Sequence, residues 1–206
     1  MQPTGGTGTP NAAEEGAHPK PARVFVALKI AADIARELAG LCAEIAGPSI
    51  RRVAAADIHL TLVPPWMEST IPAAVGKLAG VAATHAPFEL SIRHVGYRPD
   101  PRQPRFLWAE CLANSELEEL RAALLMVFRQ TDERPFRPHV TLTRIRGNGA
   151  AIAWKHPIDR NLALSQQVIS VELMQSPPAG ATGYSVLASL PLGAGTPLIG
   201  PRILAD

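Results

Sequence analysis

A histidine at the head of a short apolar strand is an unusual demand, and this chain makes it twice. "IHLTLVPP" (Ile58–Pro65) and "PHVTLTR" (Pro138–Arg144) share the order His, apolar, Thr, Leu, and their histidines lie 80 residues apart. Side chains alternate along an extended backbone, so His59 and Thr61 share one face while Leu60 and Leu62 share the other. His139 and Thr141 stand against Val140 and Leu142 in the same way. Each strand is expected to bury its leucine face and to display an imidazole beside a hydroxyl. If the two halves pack side by side, the two displayed faces can converge on one cleft.

The elements around the motifs fit such a layout. "RVFVALKI" is β-branched and apolar and reads as a strand. In "AADIARELAGLCAEIAG", Ile34, Leu38, Leu41 and Ile45 fall on one helical face, and Gly47-Pro48 stops the helix. Short strands follow near 51–54 and 58–63. Pro64-Pro65 removes two backbone donors, so the second of these must end or lie at an edge there. A helix over 69–84 turns Ile71, Val75, Leu78 and Val81 inward. "PFELSIRHVGY" and "RFLWAECL" read as strands, the first with Phe88, Leu90, Ile92 and His94 on one side. Ser115 and Glu118 form a capping box before a helix that buries Leu117, Leu120, Leu124 and Val127. After "HVTLTRI", residues 146–166 read as loop with some helix, and "VISVELMQS" and "GYSVLASLPL" as a hairpin-like strand pair. The order, β-α-β-β-α-β then β-α-β-loop-β-β, gives an α+β fold with two halves, each placing a histidine strand after a helix.

Composition narrows the class. The chain of 206 residues, 47% hydrophobic and 18% charged, can bury a core. No apolar run approaches the roughly 20 residues of a membrane span. Residues 1–21 are rich in Gly, Pro and Thr and lack a signal-peptide core; they are expected to be a disordered tail, with His18 inside it. Residues 193–206 are expected to be a loose C-terminal tail, leaving 22–192 as the folded domain. Cys42 and Cys111 lie among apolar neighbours without a CxxC spacing, which points to buried free thiols and a cytoplasmic protein. The net charge of +2 is small, but 16 arginines against four lysines favour groups that grip phosphate oxygens in pairs.

Two imidazoles with ordinary pKa values near ~6.5 can act as a base and an acid on opposite sides of one group. Two threonine hydroxyls can hold the non-bridging oxygens of a phosphate. Displacement at phosphorus needs these parts and neither a nucleophilic side chain nor a metal. Zinc is a competing use of histidine, but no HxH, HExxH or cysteine cluster accompanies either strand. No cofactor is expected.

The paired "HLTL" and "HVTL" motifs resemble those of the two-histidine (HxTx) phosphoesterase superfamily, and more narrowly its RNA 2′,3′-cyclic phosphodiesterases, also called 2′-5′ RNA ligases. "RVFVAL", "PFELSIRHVGYRP", "RFLWAE", "RPFRPHVTLTR" and "LMQS…YSVLASLPL" extend the likeness over about 23–192. It implies a bilobal, pseudo-symmetric α+β fold, with two antiparallel sheets lining a central cleft and helices outside. It also implies metal-independent opening of a terminal 2′,3′-cyclic phosphate to a 2′-phosphate. His59 would donate a proton to the departing 3′ oxygen, His139 would activate water, and Thr61 and Thr141 would hold the phosphate. The partner would be an RNA or oligonucleotide 3′ end; the absence of an obvious interface helix in the sequence points to a monomer.

The chain departs from the family pattern after the first motif, where "VPPWMES" alters the cleft rim. Trp66 there is a candidate for nucleobase stacking or a cover for the core. Arg137 is a candidate phosphate contact. Arg144 comes into step with Thr141 only after a change in pleat. Arg51 and Arg52 are either a solvated face or a groove lining for RNA backbone. His85 and His156 read as bystanders, and His94 as a core or cleft-edge residue. A phosphodiesterase for small cyclic nucleotides or an ADP-ribose cyclic phosphate is the alternative enzyme, and a non-catalytic RNA- or nucleotide-binding module the alternative from another class.

Overall fold

The computed structural model describes residues 20–178 and 181–193. The expected N-terminal tail, apart from residues 20 and 21, and the expected C-terminal tail beyond residue 193 lie outside the described residues. The strands are β1 (Ala22–Lys29), β2 (Ile50–Arg52), β3 (His59–Glu68), β4 (Phe88–Arg98), β5 (Phe106–Cys111), β6 (His139–Ile145), β7 (Asp159–Val168), β8 (Ser170–Gln175) and β9 (Ser185–Pro191). The helices are α1 (Ala32–Gly40), α2 (Ile71–Thr84), α3 (Ser115–Val127) and α4 (Gly149–Lys155). The architecture is α+β with an antiparallel sheet, as the family resemblance implies.

Strand order is β7-β4-β5-β6-β3-β1-β8-β9, with β2 paired to β6. Each histidine strand is therefore the innermost member of its own four-strand group. The groups meet at a single ladder rung, Leu60 opposite Val140, the residues that follow the two histidines. The two expected sheets are thus stitched by hydrogen bonding into one nine-stranded sheet. So short a seam lets the halves diverge on either side of it and leaves room for a cleft.

One face of this sheet carries the apolar core. Val24, Val26 and Leu28 of β1, Leu60 and Leu62 of β3, and Val140 and Leu142 of β6 are buried there with Leu38, Leu78, Leu117, Leu120 and Leu124 of the helices. At ~25 cal/mol per Å² of apolar surface, each such leucine contributes about 1.5–3 kcal/mol. The helices cover this face, so the imidazoles and hydroxyls emerge on the other.

Local differences from the sequence reading have physical causes. Helix α1 stops at Gly40, and Ile45 reaches the core from the following turn instead of the helix. Helix α2 presses its small residues Ala74 and Ala82 beside Leu78 onto the sheet, which brings it close; Ile71, Val75 and Val81 are only partly buried. Helix α3 is capped by Asn114, whose side chain accepts from the Leu117 N–H at 3.0 Å, and not by Ser115, which lies inside the first turn. Strand β3 runs through Pro64 and Pro65, because its β6-facing side is paired only at Leu60 and its ladder with β1 is irregular between Val63 and Trp66. The stretch 146–166, expected as loop with some helix, forms α4 and most of the edge strand β7. Strand β4 shifts register between Ile92 and His94, which takes His94 off the apolar side to meet Asp159 at 2.5 Å and Glu110 at 3.7 Å.

Candidate active site

Antiparallel pairing through the Leu60–Val140 rung brings His59 level with Thr141 and Thr61 level with His139. The two histidines become diagonal neighbours across the ladder, and such positions are spaced at about 7–8 Å. All four side chains are half-buried while their neighbours Leu60, Leu62, Val140 and Leu142 are buried, so the alternation read from the sequence is realised in both strands.

The imidazoles are held in the same way. His59 Nδ1 donates to the Asp57 carbonyl at 2.6 Å, and His139 Nδ1 donates to the Arg137 carbonyl at 2.8 Å. Each ring thus uses the carbonyl two residues earlier in its own chain. A proton committed at Nδ1 leaves Nε2 as the exchanging nitrogen, a base when neutral and an acid when protonated. Aromatic rings clamp both imidazoles. His59 lies 5.0 Å from the Phe25 ring and meets the Tyr184 ring edge-on at 5.0 Å. His139 stacks on Trp108 at 3.8 Å. Burial pushes both pKa values below the ordinary imidazole range; the bond to the carbonyl opposes this, and the positive charge of Arg144 adds to it.

Arg144 reaches the site through a bulge. Between Trp108–Thr141 and Leu107–Thr143, β6 spends one residue more than β5, so parity changes at Leu142 and Arg144 comes onto the histidine face. Strand β3 has the matching irregularity at Leu62, between its Ala27–Thr61 and Val26–Val63 pairs. The duplicated motif therefore duplicates its bulge.

Two basins of about 840 and 570 Å³ meet at Thr61, Pro65 and Arg144. The first contains His59 and is lined by Arg23, Arg51, Arg52, Arg144 and Arg146. The second contains His139 and Thr141 with Phe106, Trp108 and Phe136. Arg137 lines the second, and its carbonyl also orients His139. Trp66 lines neither basin: it packs on Phe128 at 4.8 Å and donates to Glu68 at 3.1 Å, so it covers the core next to α3. The aromatic face of the cleft is supplied instead by Trp108, Phe106 and Tyr184. A signal for the first two lay in "RFLWAE", where Phe106, Trp108 and Glu110 share the parity opposite to buried Leu107 and Ala109. Nothing local marked Tyr184, whose N–H donates to the Asp57 carboxylate across the fold at 3.1 Å. His85 bonds the Val81 carbonyl in its own helix, and the backbone carbonyl of His156 accepts from Tyr97.

Among the described residues, no three or more His, Cys, Asp or Glu side chains gather as a metal site, and no helix is long and apolar enough to cross a membrane.

The family model described as the 2′-5′ RNA ligase superfamily matches residues 37–176. A protein of Geobacillus stearothermophilus named RNA 2′,3′-cyclic phosphodiesterase is 30% identical over 139 residues, covering 63% of this chain and 38% of the relative. A Bacillus subtilis (strain 168) protein of the same name is 34% identical over 94 residues, covering 43% of this chain and 51% of the relative. The aligned region thus spans between about a third and a half of these curated relatives. The crystal structure of E. coli LigT complexed with 3′-AMP superposes with a TM-score of 0.65 at 25% identity, over 84% of this chain and 99% of that one.

Proposed function

The chain belongs to the 2′-5′ RNA ligase superfamily, and from that premise we propose that it hydrolyses the 2′,3′-cyclic phosphate ends of RNA or oligonucleotides to 2′-phosphates. In this reading His59 and His139 act as an acid–base pair without a metal ion. The observation that carries it is the matched Nδ1–carbonyl bond on both rings, which frees two Nε2 atoms beside a rim of Thr61, Thr141 and Arg144. The names of the curated relatives and the 3′-AMP bound to LigT agree with this substrate class.

The step balances with these groups alone. Neutral His139 takes a proton from water as the water oxygen bonds to phosphorus. The bond from phosphorus to the 3′ oxygen breaks, and protonated His59 gives that oxygen its proton. The 2′ oxygen keeps the phosphate. Thr61, Thr141 and Arg144 hold the equatorial oxygens, whose charge grows in the transition state. Burial and Arg144 hold both rings towards neutrality in the empty site, and the anionic substrate offsets this by favouring the imidazolium of His59. With a 5′ hydroxyl in the place of water as the attacking group, the same groups in the same roles join a 2′-5′ bond and free the 3′ hydroxyl.

The test is mass spectrometry of an RNA ending in a cyclic phosphate, incubated with the protein in EDTA. A gain of one water with the phosphate on the 2′ position is expected. His59→Asn and His139→Asn are each expected to lose about 10²–10⁴-fold in turnover, the usual worth of a positioned acid or base. Full turnover in either variant would overturn the reading.

A further inference from the structure

The basins on either side of the phosphate position differ in chemistry. On the His139 side two of the three arginines away from the shared rim are answered: Arg121 pairs with Asp132 at 3.1 Å and Arg134 pairs with the same carboxylate at 2.9 Å, which leaves Arg137, and the rest of the wall is mainly aromatic and proline. On the His59 side they are not. Among the described residues none of Arg23, Arg51, Arg52, Arg144 or Arg146 has a carboxylate within ion-pair distance. The one carboxylate lining that basin, Asp57, already accepts from the Tyr184 N–H.

Arg51 and Arg144 stand directly opposite each other in the β2–β6 ladder. Like charges facing across a ladder are unfavourable, and an anion bound between or beside them would relieve the repulsion. Arg23 uses one donor on the Ser176 hydroxyl at 3.3 Å and Arg51 one on the Ala181 carbonyl at 3.4 Å. Each guanidinium carries five N–H groups, so each retains donors for a ligand.

We propose that the arginine-lined basin is the subsite for the upstream phosphate of the substrate strand, the diester joining the cyclic-phosphate nucleotide to its 5′ neighbour. The inference rests on the acid–base reading above and adds a strand direction to it. Attacking and leaving oxygens lie in line on opposite sides of phosphorus. Water at His139 therefore puts the leaving 3′ oxygen, and the ribose that carries it, on the His59 side. The 5′ oxygen of that ribose and the phosphate attached to it continue outward over Arg23, Arg51 and Arg146. The aromatic basin is left to the attacking side.

Three substrates test this: adenosine 2′,3′-cyclic phosphate with a 5′ hydroxyl, the same with a 5′ phosphate, and a dinucleotide ending in the cyclic phosphate. The wild-type kcat/KM is expected to rise about tenfold or more from the first to each of the others, as a charge-assisted phosphate contact implies. The exposed pair Arg23→Gln/Arg51→Gln is expected to bring both ratios back towards one. In the wild type alone, kcat/KM for the dinucleotide is expected to fall more steeply with salt than for the 5′-hydroxyl mononucleotide, by a log–log slope of about 0.7 per phosphate contact. Equal wild-type rates on all three substrates overturn the subsite while leaving the ring-opening reading intact, and so does a preference that survives both substitutions. A gain with the dinucleotide but not with the 5′ phosphate overturns it in favour of the neighbouring base; a gain with the 5′ phosphate alone overturns the RNA strand as occupant. If none of the three is opened, the catalytic reading itself falls.

Discussion

Replacing Arg144 separates two effects that the structure gives to one residue. Its guanidinium sits where the two basins meet, and its charge lowers the pKa of both histidines. Arg144→Met removes fork and charge, whereas Arg144→Lys removes the fork and keeps the charge. Loss of a hydrogen bond to a charged group is worth about 1.5–3 kcal/mol, so kcat/KM at the optimum is expected to fall about 10–150-fold in the methionine variant. The pH profile moves as well. The acidic limb of kcat/KM follows the base, which must be neutral, and the basic limb follows the acid, which must be protonated. Removing a nearby cation raises both pKa values, so the whole bell is expected to move to higher pH in Arg144→Met and to stay in place in Arg144→Lys. The two limbs belong to the coupled pair and not to one ring each. Initial rates on a cyclic-phosphate oligonucleotide across the imidazole range measure both quantities at constant ionic strength. A methionine variant with reduced kcat/KM and an unmoved or acid-shifted bell would refute the electrostatic part of the argument.

Other outcomes concern the scaffold. Thr143 is fully buried with its hydroxyl unpartnered, so Thr143→Val, which keeps the shape and removes the orphan group, is expected to stabilise the fold by about 1–3 kcal/mol in urea denaturation. Leu60 is fully buried at the one β3–β6 rung among the described residues; Leu60→Ala is expected to cost about 2–5 kcal/mol in the same assay and to lower activity at temperatures where the protein is still folded. Burial and the charge of Glu110 push the Cys111 thiol up to about 12. It is therefore expected to resist iodoacetamide in the native protein at neutral pH and to react after denaturation, as mass spectrometry would record.

The sequence by itself determined the two displayed faces. In His59-Leu60-Thr61-Leu62 and its downstream repeat, period-two alternation is a property of each strand alone, and apolar partners at 60, 62, 140 and 142 fix which side turns inward. The helices were legible for the same reason, through Leu38, Leu78, Leu117, Leu120 and Leu124 at helical spacing. Caps and ends were less so: Asn114 displaced Ser115 because one residue of offset decides which side chain reaches a free N–H.

Tertiary structure decided what those faces surround. Arg144 joins the site only because β6 bulges at Leu142 against β5, and register belongs to a pair of strands, not to one. Trp66 left the cleft because Phe128 of a distant segment offered it a packing partner, and Trp108 took the aromatic place beside His139 because β5 pairs with β6. The single rung at Leu60 and Val140 then divides the cleft into an arginine basin and an aromatic one. Local pattern fixes the direction in which a side chain points, whereas its neighbours are fixed by strand pairing and by segments remote in the chain.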